Sequence, residues 1–209
     1  LTSVSPQVSS ILNHDAACDF SALVPTQVQS LLRTPEGRDK IHKIGTLLIG
    51  GSPISPDLED QLKDFDNRIY ATYGMTETVS HIALRRLNGP DRSPYYKALS
   101  GVKILTDEND CLIIDAPELA VKTIQTRDIV RLVDDTQFDV IGRFDHVINS
   151  GGIKFLPEVI EQKLARFIAD RFIISSLPDP RLGEKLILII ETANHLKYDD
   201  EKLMTLLKE

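Results

Sequence analysis

Residues 71–82 read ATYGMTETVSHI. A strand-like apolar run ends in Tyr73 and Gly74, and small hydroxyls then surround one carboxylate: Thr76, Glu77, Thr78, Ser80. Small hydroxyls and free backbone amides just beyond a parallel strand are suited to holding phosphate oxygens. A lone carboxylate among them suits magnesium, which takes few protein oxygens and keeps water or phosphate for the rest. The same stretch also fits an ordinary turn with a capping threonine, and spacing alone does not choose between the two readings.

The chain on either side supplies the context. Upstream, strands and helices alternate. Ser21–Val24 is a short apolar run, and Pro25 suits the first turn of a helix carrying Val28, Leu31 and Leu32. Ile44–Ile49 reads as a second strand, closed by Gly50-Gly51. Ser55-Pro56 starts a helix bearing Leu58 and Leu62, and Arg68–Tyr73 is a third strand. This rhythm predicts a parallel sheet with packed helices. Downstream, Val102–Leu105, Leu112–Asp115, Ile129–Val133 and Phe138–Ile141 read as a small antiparallel β unit with polar turns. Past Arg143, Pro157 opens an amphipathic helix with Ile160, Leu164, Phe167 and Ile168 on one face. The strands Phe172–Ser175 and Leu186–Ile190 follow, then a final helix from Asp199.

Composition removes several functions. The 209 residues are 42% apolar, enough for a sizeable core, and carry a formal charge of −7. That charge argues against nucleic acid or an anionic membrane as the main partner. The basic runs Arg85-Arg86 and Lys40–Lys43 are short and read as solvated faces. Cys18 and Cys111, far apart, read as two buried thiols of a cytoplasmic protein. No apolar run reaches transmembrane length, and no signal-peptide pattern opens the chain. Both ends read as cut rather than finished.

ATYGMTETVS resembles the signature segment of the adenylate-forming superfamily, the acyl- and aryl-CoA ligases and their relatives. LLIGGSPIS, TRDIVRL, VIGRFDHVINSGGIKFLPEVIE and LPDPRLGEKLILIIE resemble further segments of that superfamily, in its order, so that the likeness spans residues 48 to 191. The fold it implies is α/β. Residues 1–143 would be the C-terminal portion of a large domain, a parallel sheet with a small antiparallel β unit. Residues 144–209 would be part of a small α+β C-terminal domain.

The resemblance implies roles residue by residue. Gly51, Ser52 and Pro53 would lie along the adenine and acyl pockets. Tyr73 would stack on the adenine, with Gly74 allowing close backbone approach. Thr76 would bind the α-phosphate and Glu77 the magnesium, as the catalytic pair. Asp128 would accept from the ribose hydroxyls with help from Arg143, although the two also read as an ordinary surface ion pair. Asp145 would be the hinge of the small domain. Gly151 and Gly152 would line the coenzyme A channel, where a side chain would not fit. Ser80 and His81 would face the acid substrate, while His81 alone reads equally as a core or surface histidine.

The activity implied is AMP-forming acid–thiol ligation. ATP, Mg2+, coenzyme A and an aromatic acid would be the small-molecule participants, with no prosthetic group, nucleic acid or membrane span. Self-association is left open. VPTQVQSLL with IGGSPIS and YGMTETVSHI is most similar to the o-succinylbenzoate–CoA ligases of menaquinone biosynthesis. The chain departs from the superfamily pattern at Arg127, which stands where a glycine is usual. No segment matches the triphosphate-gripping loop or the late catalytic lysine, so residues 1–209 alone are expected to be inactive. A non-catalytic nucleotide-binding module is the competing class.

Overall fold

The computed structural model describes residues 7–12, 18–118 and 122–192. The protein is mixed α/β and divides into two compact units: residues 1–105, 113–124 and 132–139 form the first, and 106–112, 125–131 and 140–209 the second. A functional division after Arg143, with a hinge at Asp145, remains a proposal.

In the first unit the elements run α1 (Val8–Leu12), β1 (Cys18–Leu23), α2 (Pro25–Leu32), α3 (Pro35–His42), β2 (Ile44–Ile49), α4 (Pro56–Leu62), β3 (Arg68–Gly74), β4 (His81–Arg86) and β5 (Tyr96–Ala98). The strands β1, β2 and β3 pair in parallel, as the alternating pattern predicts. The helices begin where the sequence signals them. Pro25 and Pro56 each occupy a first-turn position, and Ser55 accepts from the Leu58 amide at 3.3 Å. Leu31, Leu58, Leu62, Leu47, Ile49 and Ile69 meet in a core with almost no solvent exposure.

Several expectations are corrected. The sequence showed no helix at Pro35–His42, yet Thr34 caps one through the Gly37 amide at 3.1 Å. That helix makes the Lys40–Lys43 run only partly solvated: Ile41 is fully buried, and His42 stacks on Phe65 at 4.3 Å. Leu84-Arg85-Arg86 is not a solvated tail but the end of β4, antiparallel to β3. Arg85 pairs with Glu59, and Arg86 lies 5.0 Å over the Tyr70 ring. Cys18 is half-buried, whereas Cys111 is buried as expected.

The remaining strands are β6 (Lys103–Thr106), β7 (Cys111–Asp115), β8 (Thr123–Leu132) and β9 (Gln137–Arg143), in the sheet order β1-β2-β3-β4-β5-β9-β8-β7-β6. β8 starts six residues before the expected Ile129, because ladder pairing continues through its polar half. The second unit ends in β10 (Ile148–Ser150), β11 (Ile153–Phe155), α5 (Pro157–Leu164), β12 (Arg171–Asp179) and β13 (Gly183–Glu191), with sheet order β11-β10-β13-β12. Ile148, Leu164, Ile168 and Ile174 form its core. α5 stops at Leu164, so Phe167 leaves the apolar face and is exposed. The helix expected from Asp199 lies outside the described residues. Among the described residues no helix is long and apolar enough to cross a membrane.

Asn88 anchors the start of β3. Its buried side chain accepts from the Ile69 amide at 3.2 Å and donates to the carbonyls of Phe65 at 2.6 Å and Asn67 at 2.8 Å. Asn88→Ala takes the side-chain partner from the Ile69 amide and the Phe65 carbonyl, while the Asn67 carbonyl keeps Arg86 at 3.4 Å, and each orphaned buried group is costly. The variant is expected to lose about 3 kcal/mol of stability, seen as a lower urea midpoint at unchanged slope.

Candidate nucleotide site

Two loops leave the carboxyl ends of neighbouring parallel strands, where ligands of open α/β sheets bind. One follows β2 and carries Gly51, Ser52 and Pro53, all exposed. The other follows β3. A Cβ on Gly74 would sit 2.4 Å from the Ser80 carbonyl oxygen and 2.7 Å from the His81 Cα. Only glycine permits that approach, and the β3–β4 register shifts at Tyr73/Gly74 to accommodate it. A Cβ on Gly50, read from the sequence only as the end of β2, would likewise lie 2.0 Å from the Thr72 hydroxyl.

Between Gly74 and His81 the chain makes a short 3-10 turn over Thr76–Thr78. The hydroxyls divide into two kinds. Thr78 is buried: its Oγ1 accepts from the Met75 amide at 2.9 Å, and its proton points between the Met75 and Ser80 carbonyls, at 2.9 and 2.6 Å. This threonine builds the turn. Thr76 and Glu77 are exposed on it. The capping-threonine reading holds at Thr78; a ligand role for the exposed Thr76 and Glu77 remains a proposal. Val79 closes the turn at φ +63°, a strained value for a β-branched residue, with its side chain 85% exposed. Ser80 Oγ lies 3.2 Å from His81 Nδ1. Tyr73 sets its ring edge-on to Phe138 at 5.1 Å.

In the second unit Arg143 joins two carboxylates. Its Nη1 donates to Asp128 Oδ1 at 3.1 Å, while Nε and Nη2 grip both oxygens of Asp145 at 3.1 Å. The Asp128 side chain is 13% exposed and that of Asp145 47%. Thr126, unnoticed in the sequence, accepts from the Asp128 amide at 3.0 Å within β8, so Arg127 stands in a strand and not in a turn. His146 Nδ1 lies 2.6 Å from Glu158 Oε1, tying the residue after Asp145 to α5.

Gly151 and Gly152 form the two-residue turn of the β10–β11 hairpin, at φ +61° and +83°. A Cβ on Gly152 would meet nothing within 4 Å. The positive φ at both positions is by itself a reason for glycine here. Their place along a coenzyme A channel remains a proposal.

Among the described residues no group of three or more His, Cys, Asp or Glu side chains could hold a metal. Glu77 fits a different arrangement: one exposed carboxylate beside backbone amides, with phosphate oxygens and water completing a magnesium shell.

The AMP-binding enzyme family matches residues 10–123, more than half of the 209-residue chain, and the chain belongs to that family. Feruloyl-CoA synthase of Amycolatopsis is 25% identical over 88% of this chain and 44% of its own length. The 2-succinylbenzoate–CoA ligase of Escherichia coli K12 is 26% identical over 90% of this chain and 42% of its own. The crystal structure of an AMP-forming acyl-CoA synthetase/AMP-acid ligase II-like protein from Dyadobacter fermentans aligns over 96% of this chain and 58% of its own, at 38% identity and a TM-score of 0.63. The chain thus spans less than half the length of these two curated relatives.

The Arg143 pair makes a pH prediction. Hydrogen bonding to the guanidinium holds the Asp145 carboxyl below its ordinary value of 3.8. A depressed carboxylate stabilises the fold above its unfolded value and loses that contribution as pH falls through the folded one. The melting temperatures of wild type and Asp145→Asn are therefore expected to differ at neutral pH and to converge below pH 3.8. The gap, modest for so exposed a pair, is expected to shrink with added salt.

Proposed function

We propose that the chain is the nucleotide-handling part of an AMP-forming acid–CoA ligase whose substrate is an aromatic acid, o-succinylbenzoate in the first instance. The single observation that supports this most is the Thr76–Glu77 turn. A hydroxyl and a carboxylate are presented to solvent at the carboxyl end of β3, on a loop whose shape Gly74 and Thr78 dictate. Chain order and family membership agree with it.

On this reading a carboxylate oxygen of the acid attacks the α-phosphorus of ATP, and pyrophosphate leaves. The acyl-adenylate then accepts the thiol sulfur of coenzyme A at its carbonyl carbon, and AMP leaves. Thr76 donates to the α-phosphate oxygen as charge grows there, and preorganised donors of this kind stabilise the transition state. Glu77 would hold a magnesium ion that neutralises phosphate charge. Tyr73 stacks on the adenine, Gly51, Ser52 and Pro53 border it, and Asp128 with Arg143 receives the ribose hydroxyls. Asp145 serves as the hinge between residues 1–143 and 144–209, and Gly151 and Gly152 border the pantetheine chain. The reading goes with a cytoplasmic enzyme that needs no prosthetic group.

Glu77→Gln removes the charge and keeps the shape. In a chain that carries the whole enzyme, pyrophosphate exchange is expected to fall at least a hundredfold, about 3 kcal/mol of transition-state stabilisation, with an unchanged melting curve. Exchange near the wild-type rate would remove Glu77 from the metal role.

Ser80 and His81 lie just past the turn, and a site built to hydrogen-bond a polar group rejects analogues that lack it. The enzyme is expected to prefer o-succinylbenzoate to benzoate in kcat/KM for AMP release. Ferulate is the informative third acid, since one curated relative is a feruloyl-CoA synthase of similar identity. Preference for ferulate would keep the ligase reading and replace the substrate.

A further inference from the structure

We infer that Arg85 is a positioning residue for the nucleotide, acting through Tyr96 on the ring of Tyr73. The inference rests on the reading that Tyr73 stacks on adenine.

The argument starts from strand register. Across β3, β4 and β5, Tyr73 faces Ala83 and Ala83 faces Ala98. One step along the same strands, Ala71 faces Arg85, and Tyr96 faces Phe138 of β9. The first row is a trough of alanines, and Tyr73 crosses it to reach large residues of the second. Its ring centre lies 5.9 Å from that of Tyr96 and 5.1 Å from that of Phe138, while Tyr96 and Phe138 stack at 5.7 Å. Three rings thus contact one another, and Tyr73 is the one at the strand end that leads into the Thr76 turn.

The cluster is held from one side. The Arg85 guanidinium sits 5.3 Å from the Tyr96 ring centre, within cation–π range. Glu59 of α4 binds Arg85, both side chains being under 20% exposed, and Arg92 approaches the other Glu59 oxygen at 3.8 Å. Burial pushes the Tyr96 phenol up, so it stays neutral beside the cation. A planar guanidinium can meet a carboxylate and a ring together, which an ammonium cannot do. The chain Glu59–Arg85–Tyr96–Tyr73 therefore carries the position of α4 to the adenine-stacking ring. Fixing that ring before the nucleotide arrives removes an ordering cost from binding.

The test uses AMP and the full chain. The dissociation constant is read by titration calorimetry, which does not depend on the Tyr73 ring that one variant removes. Arg85→Lys is expected to raise the AMP dissociation constant about two- to tenfold. Tyr73→Ala is expected to raise it as well, and Arg85→Lys added to Tyr73→Ala is expected to change it no further. Tyr96→Ala removes the ring that stands between Arg85 and Tyr73; it is expected to repeat the pattern, and it serves if the lysine variant does not fold. An effect of either variant that persists undiminished without the Tyr73 ring overturns the inference, as does no effect in its presence. Tyr73→Ala without loss of affinity, or no AMP binding by the unaltered chain, overturns the adenine reading itself.

Discussion

The loop of the candidate site hangs on one close approach. Gly74 passes the Ser80 and His81 backbone at a distance that leaves no room for a Cβ. That contact turns β3 into β4 within a few residues. It also forces the intervening residues into a 3-10 turn, and the buried Thr78 hydroxyl supplies the bonds that such a tight turn needs. The exposed pair Thr76 and Glu77 is presented by this geometry, and Val79 takes the strain. Strained positive-φ residues tend to sit at functional turns, and this one lies between the proposed phosphate contact and the proposed acid contact.

The same sheet separates support from site by the size of its side chains. Alanines at 71, 83 and 98 keep one face low beside Tyr73, and large residues at 85, 96 and 138 rise next to them. The charged pair beneath is costly to desolvate, and a buried ion pair is weak evidence for stability as such. Orientation of a ring is a better account of why Glu59 and Arg85 are held there.

The second unit shows the same economy with charge. Arg143 serves two carboxylates at once, Asp128 for the proposed ribose contact and Asp145 for the proposed hinge. Thr126 and the His146–Glu158 contact hold the flanking backbone, so the arrangement does not rely on the exposed ion pairs alone.

Much of this was legible in the sequence. Strand β2 was readable to the residue, because Gly50 and Gly51 end its apolar run. Helices α2 and α4 announced themselves by proline at the first turn and leucine on one face. Asp128, Arg143 and Asp145 were named from the resemblance, and both aspartates prove to accept from Arg143. Short-range signals of this kind act over a few residues, and a chain displays them directly. The helix Pro35–His42 was hidden because one buried aliphatic side chain, Ile41, makes no periodic pattern, and Phe167 misled because the apolar spacing ran on past the end of α5. Strand β4 looked like a basic tail because its arginines are satisfied by partners 26 and 16 residues away, Glu59 and Tyr70. The sequence by itself determined the family, the three alternating parallel strands and the residue types at the candidate site. Only the tertiary structure decided which threonine builds the turn and which is exposed on it, and whether an arginine is solvated or clamped under a ring. Those outcomes depend on strand register and on distant partners, and neither is written in local spacing.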